Sequence, residues 1–189
     1  ARLKKFAAEP SYDPAMEEAT ELYLEALKEQ AMTFSAPPFV ALETRVDYSE
    51  YAPDGFGTAD CIMIGGGRIV ICDYKNGAGV PVEAEHNSQM MLYALGALAS
   101  FRPIYGDTIT TAHMVIIQPH AGGVKEWEIS VEDLTRWGHE VVAPRAKTAL
   151  EGAEPARPGD WCRFCKGKSQ CAARAKQMLE VGKQYQMAP

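Results

Sequence analysis

The sequence predicts an α/β fold in which a central mixed β-sheet of about five strands is flanked by helices on both faces. The predicted elements follow in the order helix, three strands, helix, two strands, helix, which is typical of α/β proteins. The hairpin segment CIMIGGGRIVI, residues 61–71, is apolar on both faces of its two strands, so helices must cover both sides. A composition of 47% hydrophobic and 23% charged residues in 189 is ordinary for a globular domain with a full core.

The first helix and the strands are predicted from local patterns. Asp13 and Pro14 suit the N-cap and the first helical position. Apolar residues then recur at helical spacing to about residue 32, namely Ala19, Leu22, Tyr23 and Ala26. Alternating, β-branched segments predict strands within residues 39–49, 58–75, 111–119 and 124–130, the second range holding two strands around a glycine turn.

Three further helices complete the predicted order. The first covers residues 83–99, and the next begins where Ser130 and Asp133 form a capping box and ends or kinks at Pro144. The tail is helical again from about Ser169. The stretch GAEPARPGD, residues 152–160, predicts a linker, so we expect a core of residues 1–155 and a C-terminal segment of residues 156–189.

The charge of the chain is unevenly distributed. The net charge of -6 argues against a general polyanion binder, yet residues 161–189 carry a net charge of +5, which leaves -11 for the rest. This basic tail is either a solvated helix or a patch that contacts phosphate groups. In the second interpretation the contacting residues are Lys166, Lys168, Arg174 and Lys176.

Targeting signals are not visible in the sequence. No apolar run approaches the roughly 18 residues of a membrane span, and no signal peptide opens the chain. We therefore expect a soluble, intracellular protein without a membrane partner, and the sequence leaves its oligomeric state open. Because the first residue is Ala rather than Met, we expect a fragment or a processed chain.

Two acids and a lysine end the predicted hairpin strands. If Gly66 and Gly67 form a two-residue turn, Asp60 lies directly opposite Asp73, and Lys75 falls on the same face. Two carboxylates this close repel each other unless a cation lies between them, and oxygen ligands favour Mg²⁺ or Mn²⁺. The alternative is an ion pair between Asp73 and Lys75, with Asp60 capping a turn.

The next predicted helix carries polar residues on one side. Its apolar residues Met91, Leu92, Leu95, Leu98 and Ala99 share one face. Gln89 and Tyr93 lie one turn apart on the opposite face, together with His86 and Gly96. This polar face either turns toward the acid pair or is simply exposed to solvent.

The five cysteines form two groups. Cys61 and Cys72 each lie within an apolar strand and are predicted to be small core residues. Cys162, Cys165 and Cys171 form a C-x2-C-x5-C cluster, which in a chain without secretory signals indicates metal ligation rather than disulfides.

These motifs together resemble the PD-(D/E)XK nucleases, specifically their RecB-like branch, which includes phage exonucleases and CRISPR-associated adaptation nucleases. The resemblance is carried by Asp60, the run Asp73-Tyr74-Lys75 and the Gln89-x-x-x-Tyr93 pair, and it covers about residues 13–120. It implies a restriction-endonuclease-like core and a metal-dependent DNA nuclease. The expected activity is that of an exonuclease in phage or prophage recombination, in the cytoplasm of a bacterial or phage-infected cell, with a recombination or single-strand-annealing protein as a further partner.

The resemblance also implies roles for individual residues. Asp60, Asp73 and the Tyr74 carbonyl would hold Mg²⁺ or Mn²⁺, and Lys75 would position the attacking water. Gln89 and Tyr93 would orient the DNA strand or Lys75. One more acid completes the site in many relatives, for which Glu43 is our candidate, with the helix residues Glu17, Glu18, Glu21 and Glu25 as alternatives.

Several RecB-like nucleases use a C-x2-C-x5-C group, with one further cysteine far upstream, to hold a [4Fe-4S] cluster. Cys162, Cys165 and Cys171 fit that pattern, but this sequence has no cysteine before Cys61 and no histidine in residues 1–60. A zinc site completed by a histidine is the alternative. The alternative function is a catalytically inactive nucleic-acid-binding module that keeps the nuclease fold with a zinc or iron-sulfur knuckle.

Overall fold

Five strands form one mixed sheet in the spatial order β1-β2-β3-β4-β5. Strands β3 and β4 are parallel, and the other neighbours are antiparallel. The computed structural model describes residues 12–77, 79–152 and 156–186. The strands are β1 (Phe39–Asp47), β2 (Phe56–Gly65), β3 (Arg68–Tyr74), β4 (Thr111–Gln118) and β5 (Gly123–Ser130).

Five α-helices accompany the sheet in the described residues. They are α1 (Ala15–Met32), α2 (Ser88–Tyr105), α3 (Val131–Trp137), α4 (Ala143–Glu151) and α5 (Ala172–Gln186). A π-helical turn spans Gly138–Val142, and a 3₁₀ turn spans Asp160–Arg163. The chain divides into two compact units, residues 1–146 and 147–189, and the predicted boundary near residue 155 stays a prediction. No helix among the described residues has the length and apolar character needed to cross a membrane.

Helices cover both faces of the sheet, as predicted. Strand residues alternate between the two faces, so that Ile62 and Ile71 pack with Leu95 of α2, whereas Cys61 and Cys72 pack with Ala26 of α1. All four of these strand residues are fully buried. The prediction of an α/β fold with a five-stranded mixed sheet between helices is confirmed, and Cys61 and Cys72 are core residues as expected.

The glycine turn sets the register of the central hairpin. Gly66 and Gly67 have φ values of 54° and 79°, the left-handed conformation that a primed hairpin turn requires at both central positions. Ile64 pairs with Ile69 and Ile62 with Ile71. These pairs match the predicted register, which is therefore confirmed.

The predicted bounds of the second helix are wrong at both ends. Helix α2 begins at Ser88, because the Asn87 side chain caps it by accepting a hydrogen bond from Met90 N at 3.2 Å. His86 precedes the helix with a φ of 52°, a conformation that a right-handed helix excludes. It therefore does not belong to the polar helix face. The helix continues past Ala99 to Tyr105, where Gly106 ends it.

The third helix also differs from its prediction. Ser130 caps it as expected, accepting from Asp133 N at 3.0 Å. Pro144 does not end the helical path, because a π-helical turn follows α3 and leads directly into α4. Gly138 begins that turn where a Cβ would lie 2.6 Å from the Tyr51 ring. The tail helix begins at Ala172 rather than near Ser169.

Candidate functional site

The candidate site lies where β3 ends. In the register that pairs Cys61 with Cys72, Asp60 and Asp73 are the next opposite residues. Asp60 Oδ2 accepts a hydrogen bond from Tyr74 N at 2.8 Å, which fixes this carboxylate beside the last residue of β3. The two acids are thus neighbours across the strands, as the sequence predicted.

Lys75 joins the acid pair from the residue that follows β3. Its Nζ lies 2.8 Å from Asp73 Oδ2 and donates to Gln89 Oε1 at 3.1 Å. Its main-chain N–H donates to the Ile117 carbonyl of β4 at 2.8 Å. The ion pair with Asp73 is the contact that the alternative interpretation proposed, but that interpretation did not include Gln89.

Gln89 links three side chains of the site. Its Nε2 donates to Asp73 Oδ1 at 3.2 Å and to the Tyr93 hydroxyl oxygen at 3.1 Å, while its Oε1 accepts from Lys75. The charges of its neighbours fix the orientation of this amide, since a flip would point its NH₂ at an ammonium and its oxygen at a carboxylate. The predicted polar pair Gln89 and Tyr93 therefore faces the acids rather than solvent.

Tyr93 reaches the site because β2 carries a glycine beneath its ring. A Cβ at Gly57 would collide with the Tyr93 ring. Gly57 does not need an unusual φ, so its role is the close approach of a helix side chain to the strand. Gly57 was not among the predicted site residues, because it precedes the predicted strand range of residues 58–75, whereas the observed β2 begins at Phe56.

Burial dominates the electrostatics of Asp73. Its side chain is 5% exposed. Desolvation raises the pKa of this carboxyl, the contact with Lys75 opposes the rise, and Asp60 adds to it. Asp73 Oδ2 is buried and has no hydrogen-bond partner among the described residues, so its contact with Lys75 is ionic only.

These groups suit a hard divalent cation. A buried carboxylate oxygen that lacks a hydrogen bond, beside a second carboxylate, is an oxygen donor set that Mg²⁺ or Mn²⁺ accepts. No group of three His, Cys, Asp or Glu side chains in the described residues is arranged to hold a metal. Mg²⁺ is nevertheless commonly bound through one or two carboxylates, with waters and substrate phosphate as the remaining ligands.

Glu43 occupies an unusual position in β1. Leu42 pairs with Cys61 and Thr44 with Ala59, so Glu43 stands opposite Asp60, but this one pair is missing from the ladder. Glu43 is exposed and has a φ of 46°, a strained conformation that clusters at functional sites. Its predicted role as a metal ligand stays a prediction.

The glutamates of the first helix stay candidates for the acid that completes the site. All four, Glu17, Glu18, Glu21 and Glu25, are exposed. Helix α1 packs on the face of the sheet that holds Cys61 and Cys72, whereas Gln89 approaches from α2 on the other face.

Gln118 anchors the loop between Lys75 and Gln89 and was not among the predicted site residues. Its side chain is buried at the end of β4. Its Oε1 accepts from Val82 N at 2.9 Å, and its Nε2 donates to the carbonyls of Gly77 and Val80 at 3.2 and 3.3 Å. A glutamine closing the apolar strand TAHMVIIQ was the available signal.

The three clustered cysteines lie in the second unit. Cys162 and Cys171 are half-buried and Cys165 is exposed. The main chain turns tightly between the first two, with Cys165 N donating to the Cys162 carbonyl at 3.4 Å. Of the predicted phosphate contacts, Lys166, Lys168 and Lys176 are exposed and Arg174 is half-buried.

The fold and the site together define an α/β protein with paired carboxylates and a lysine at the end of its central sheet. The chain belongs to the family described as "Protein of unknown function (DUF2800)", whose family model matches residues 1–189. Among solved structures, it is similar to the one titled "Crystal structure of SSO0001". That similarity has 15% sequence identity and a TM-score of 0.39, and it covers 92% of this chain and 78% of the other. A similarity of this size carries no argument about function.

Proposed function

We propose that this chain is a Mg²⁺- or Mn²⁺-dependent deoxyribonuclease that hydrolyses phosphodiester bonds at DNA ends. The observation that carries the proposal is the network in which Gln89 joins Asp73, Lys75 and Tyr93, beside Asp60. We extend the proposal to an exonuclease that processes DNA in phage or prophage recombination, because the resemblance of these motifs implies that role.

The two acids have a shared task in this mechanism. Asp60, Asp73 and the Tyr74 carbonyl would hold the divalent cation, which supplies charge neutralisation at the phosphate and a more acidic bound water. Asp60 is kept in place by the Tyr74 N–H. Asp73 must be ionised to take part, and its burial makes ionisation less favourable until a cation replaces the lost water.

Lys75 is placed to act on the reacting groups. An ammonium has three N–H donors, and the structure gives Lys75 two partners, Asp73 and Gln89. Its ion pair with Asp73 and its hydrogen bond to Gln89 leave an N–H donor for a phosphate oxygen or for the attacking water. Because Gln89 and Asp73 hold the ammonium beforehand, it needs little reorganisation to stabilise charge that develops in the transition state.

The cysteine cluster has a supporting role in the proposal. Cys162, Cys165 and Cys171 supply soft thiolate ligands, which suit an iron-sulfur cluster or Zn²⁺. Either group needs a fourth ligand in addition to these three. We propose that it stabilises the second unit and takes no part in hydrolysis.

A digestion assay with matched variants tests the nuclease. Linear duplex DNA and a closed circle of the same sequence are incubated with Mn²⁺ and the wild-type protein, Asp73→Asn or Asp107→Asn. Asp107 is a suitable control because its side chain is 90% exposed and lies in the turn after α2. We expect wild type and Asp107→Asn to digest the linear DNA, and Asp73→Asn to lose at least about 100-fold in rate.

The linear and circular substrates test whether the activity is that of an exonuclease, and Asp73→Asn tests whether it belongs to this site. Digestion of the linear DNA with an intact circle supports an exonuclease, whereas cutting of the circle overturns that part of the proposal. Full activity of Asp73→Asn would contradict the assignment of nuclease activity to this site. If wild type and both variants bind DNA in Mn²⁺ or Mg²⁺ but none of them cleaves it, the inactive binding module is favoured.

A further inference from the structure

The second unit exposes aromatic rings among positive charges. Residues 156–186 contain seven Lys or Arg and two acidic residues, a net charge of +5. Within this segment Trp161 is 67% exposed and Phe164 is 79% exposed. Large aromatic side chains at this exposure, in a strongly basic segment, are not explained by packing of the described residues.

Trp161 and Phe164 are three residues apart, within and directly after one 3₁₀ turn. The turn spans Asp160–Arg163, and Phe164 N donates to the Trp161 carbonyl at 3.2 Å. Residues three apart are eclipsed in a 3₁₀ helix. The Cβ atoms of Trp161 and Phe164 therefore lie on the same side of this turn, and both side chains are exposed.

Local contacts hold the Trp161 ring without covering it. Its Nε1–H donates to the Arg157 carbonyl at 3.0 Å. The ring lies against Gly159, where a Cβ would collide with it. A ring that is already fixed loses little conformational entropy when a ligand stacks on its exposed part.

Cationic side chains are tied to the same turn. The Arg163 guanidinium lies 5.4 Å from the centroid of the Phe164 ring. Lys168 Nζ donates to the Arg163 carbonyl at 3.1 Å, and an Arg174 guanidinium nitrogen donates to the Lys168 carbonyl at 3.4 Å. The rings and the cations therefore form one surface within the second unit.

We infer that this surface binds single-stranded DNA, with Trp161 and Phe164 stacking on unpaired bases and Arg163, Lys168 and Arg174 contacting the backbone. Aromatic platforms beside cations bind single strands because every base has a π-face, whereas a duplex hides those faces within its stack. The inference deepens the proposed function and rests on it for the choice of DNA as the ligand. It names the unpaired strand as the part of the substrate that the second unit holds.

Binding of two oligonucleotides without cleavage tests the stacking contact. The full chain is titrated, in Ca²⁺ without Mg²⁺ or Mn²⁺, against fluorescein-labelled oligo-dT of about 12 nucleotides and an abasic oligonucleotide of the same length. The variants are Trp161→Ala, Trp161→Phe and Leu179→Ala. Leu179 is a matched control because its side chain is 68% exposed in the same unit but is not aromatic.

We expect Trp161→Ala to weaken oligo-dT binding by about tenfold or more and Trp161→Phe to stay within about threefold of wild type. Affinity for the abasic oligonucleotide should not change in either variant, since the phosphates remain. The slope of affinity against salt concentration should also be the same in wild type and Trp161→Ala, because stacking neutralises no phosphate. Leu179→Ala should match wild type with both ligands.

Two results would overturn the inference. The first is equal affinity of the wild-type protein for oligo-dT and the abasic oligonucleotide, which would mean that the bases are not read. The second is an equal effect of Trp161→Ala and Leu179→Ala on oligo-dT binding. Neither result bears on Mn²⁺-dependent digestion, which tests the proposed nuclease separately. Stacking-dependent binding by a protein that does not cleave DNA would contradict the proposed nuclease but not this inference.

Discussion

At the scale of single residues, Gln89 determines how the charged groups of the site meet. Its amide accepts from Lys75 at 3.1 Å and donates to Asp73 at 3.2 Å, so one neutral side chain spans an ion pair and holds both members. Without it, Lys75 would keep only its contact with Asp73, and Tyr93 would lose its link to the site. We attribute the position of the Lys75 ammonium beside Asp73 to this bridge.

The raised pKa of Asp73 leads to a prediction about stability. The folded protein holds the Asp73 proton more tightly than the unfolded chain does, so ionisation of Asp73 destabilises the fold as pH rises from the unfolded toward the folded pKa. Without metal, Asp73→Asn should melt at the same temperature as wild type or higher at pH 7. The difference should shrink below about pH 4, where both side chains are neutral. Thermal melts in EDTA across this range measure it.

Added Mn²⁺ should reverse that order. In our proposal the cation binds the folded wild-type site, so it should stabilise wild type by about 2.7 kcal/mol at 100 times its dissociation constant and Asp73→Asn much less. Our description of Asp73 would be contradicted if Asp73→Asn were less stable than wild type in EDTA at pH 7 and were stabilised by Mn²⁺ as much as wild type is.

The sequence could place a residue of the site only where a local pattern fixes that residue's position. The glycine turn sets the hairpin register by itself, so the Asp60 and Asp73 pair followed from counting residues. Glu43 could not be placed in this way, because its positive φ interrupts the β1–β2 ladder and no local pattern signals that strain.

At the scale of secondary-structure elements, close packing of α2 on the sheet brings Gln89 and Tyr93 to the acids. Two positions without side chains permit this packing. Gly57 of β2 leaves room for the Tyr93 ring, and a Cβ at Gly96 of α2 would lie 3.0 Å from Val46 Cβ. The sequence predicted the helix and its polar pair, but not these contacts, because a glycine in a regular element has several possible causes.

Gly57→Ala tests this packing. The added methyl group overlaps the Tyr93 ring, so we expect a loss of about 1–3 kcal/mol of unfolding free energy and a lower cleavage rate. In a Tyr93→Ala background the same change should have little further effect, because the obstructing ring is gone. Urea denaturation of the four proteins in this cycle measures the coupling.

A second glycine provides the control for that prediction. A Cβ at Gly182 of α5 would meet no described atom within 4 Å, so Gly182→Ala should be neutral or stabilise by up to about 1 kcal/mol. Additive losses from Gly57→Ala and Tyr93→Ala would show that the two residues do not meet as described.

At the scale of the whole molecule, the chain order explains why the motifs converge. Strands β3 and β4 are parallel, and α2 is the crossover between them. Such a helix begins beyond the carboxyl end of its first strand, so the start of α2 lies beside the end of β3. The order strand, helix, strand was readable from the sequence, whereas the parallel pairing depends on contacts far apart in the chain.

The two units divide the charge of the molecule. The basic segment carries a net charge of +5, while the rest of the chain is strongly acidic. An acidic surface repels DNA, and the basic surface attracts its backbone. In our proposal the second unit therefore provides affinity, and the site at the end of β3 provides chemistry.

The most direct test of this division is the effect of Lys75→Ala on cleavage and on binding, measured separately. An ammonium that acts mainly in the transition state lowers the rate when removed and leaves ground-state affinity largely unchanged. The rate at saturating linear DNA in Mn²⁺ is compared with the affinity for the same DNA in Ca²⁺, with the exposed Lys28→Ala as the control. We predict a rate loss of roughly 100-fold or more with little change in affinity. Equal losses of rate and affinity, or no loss of rate, would contradict a catalytic role for Lys75.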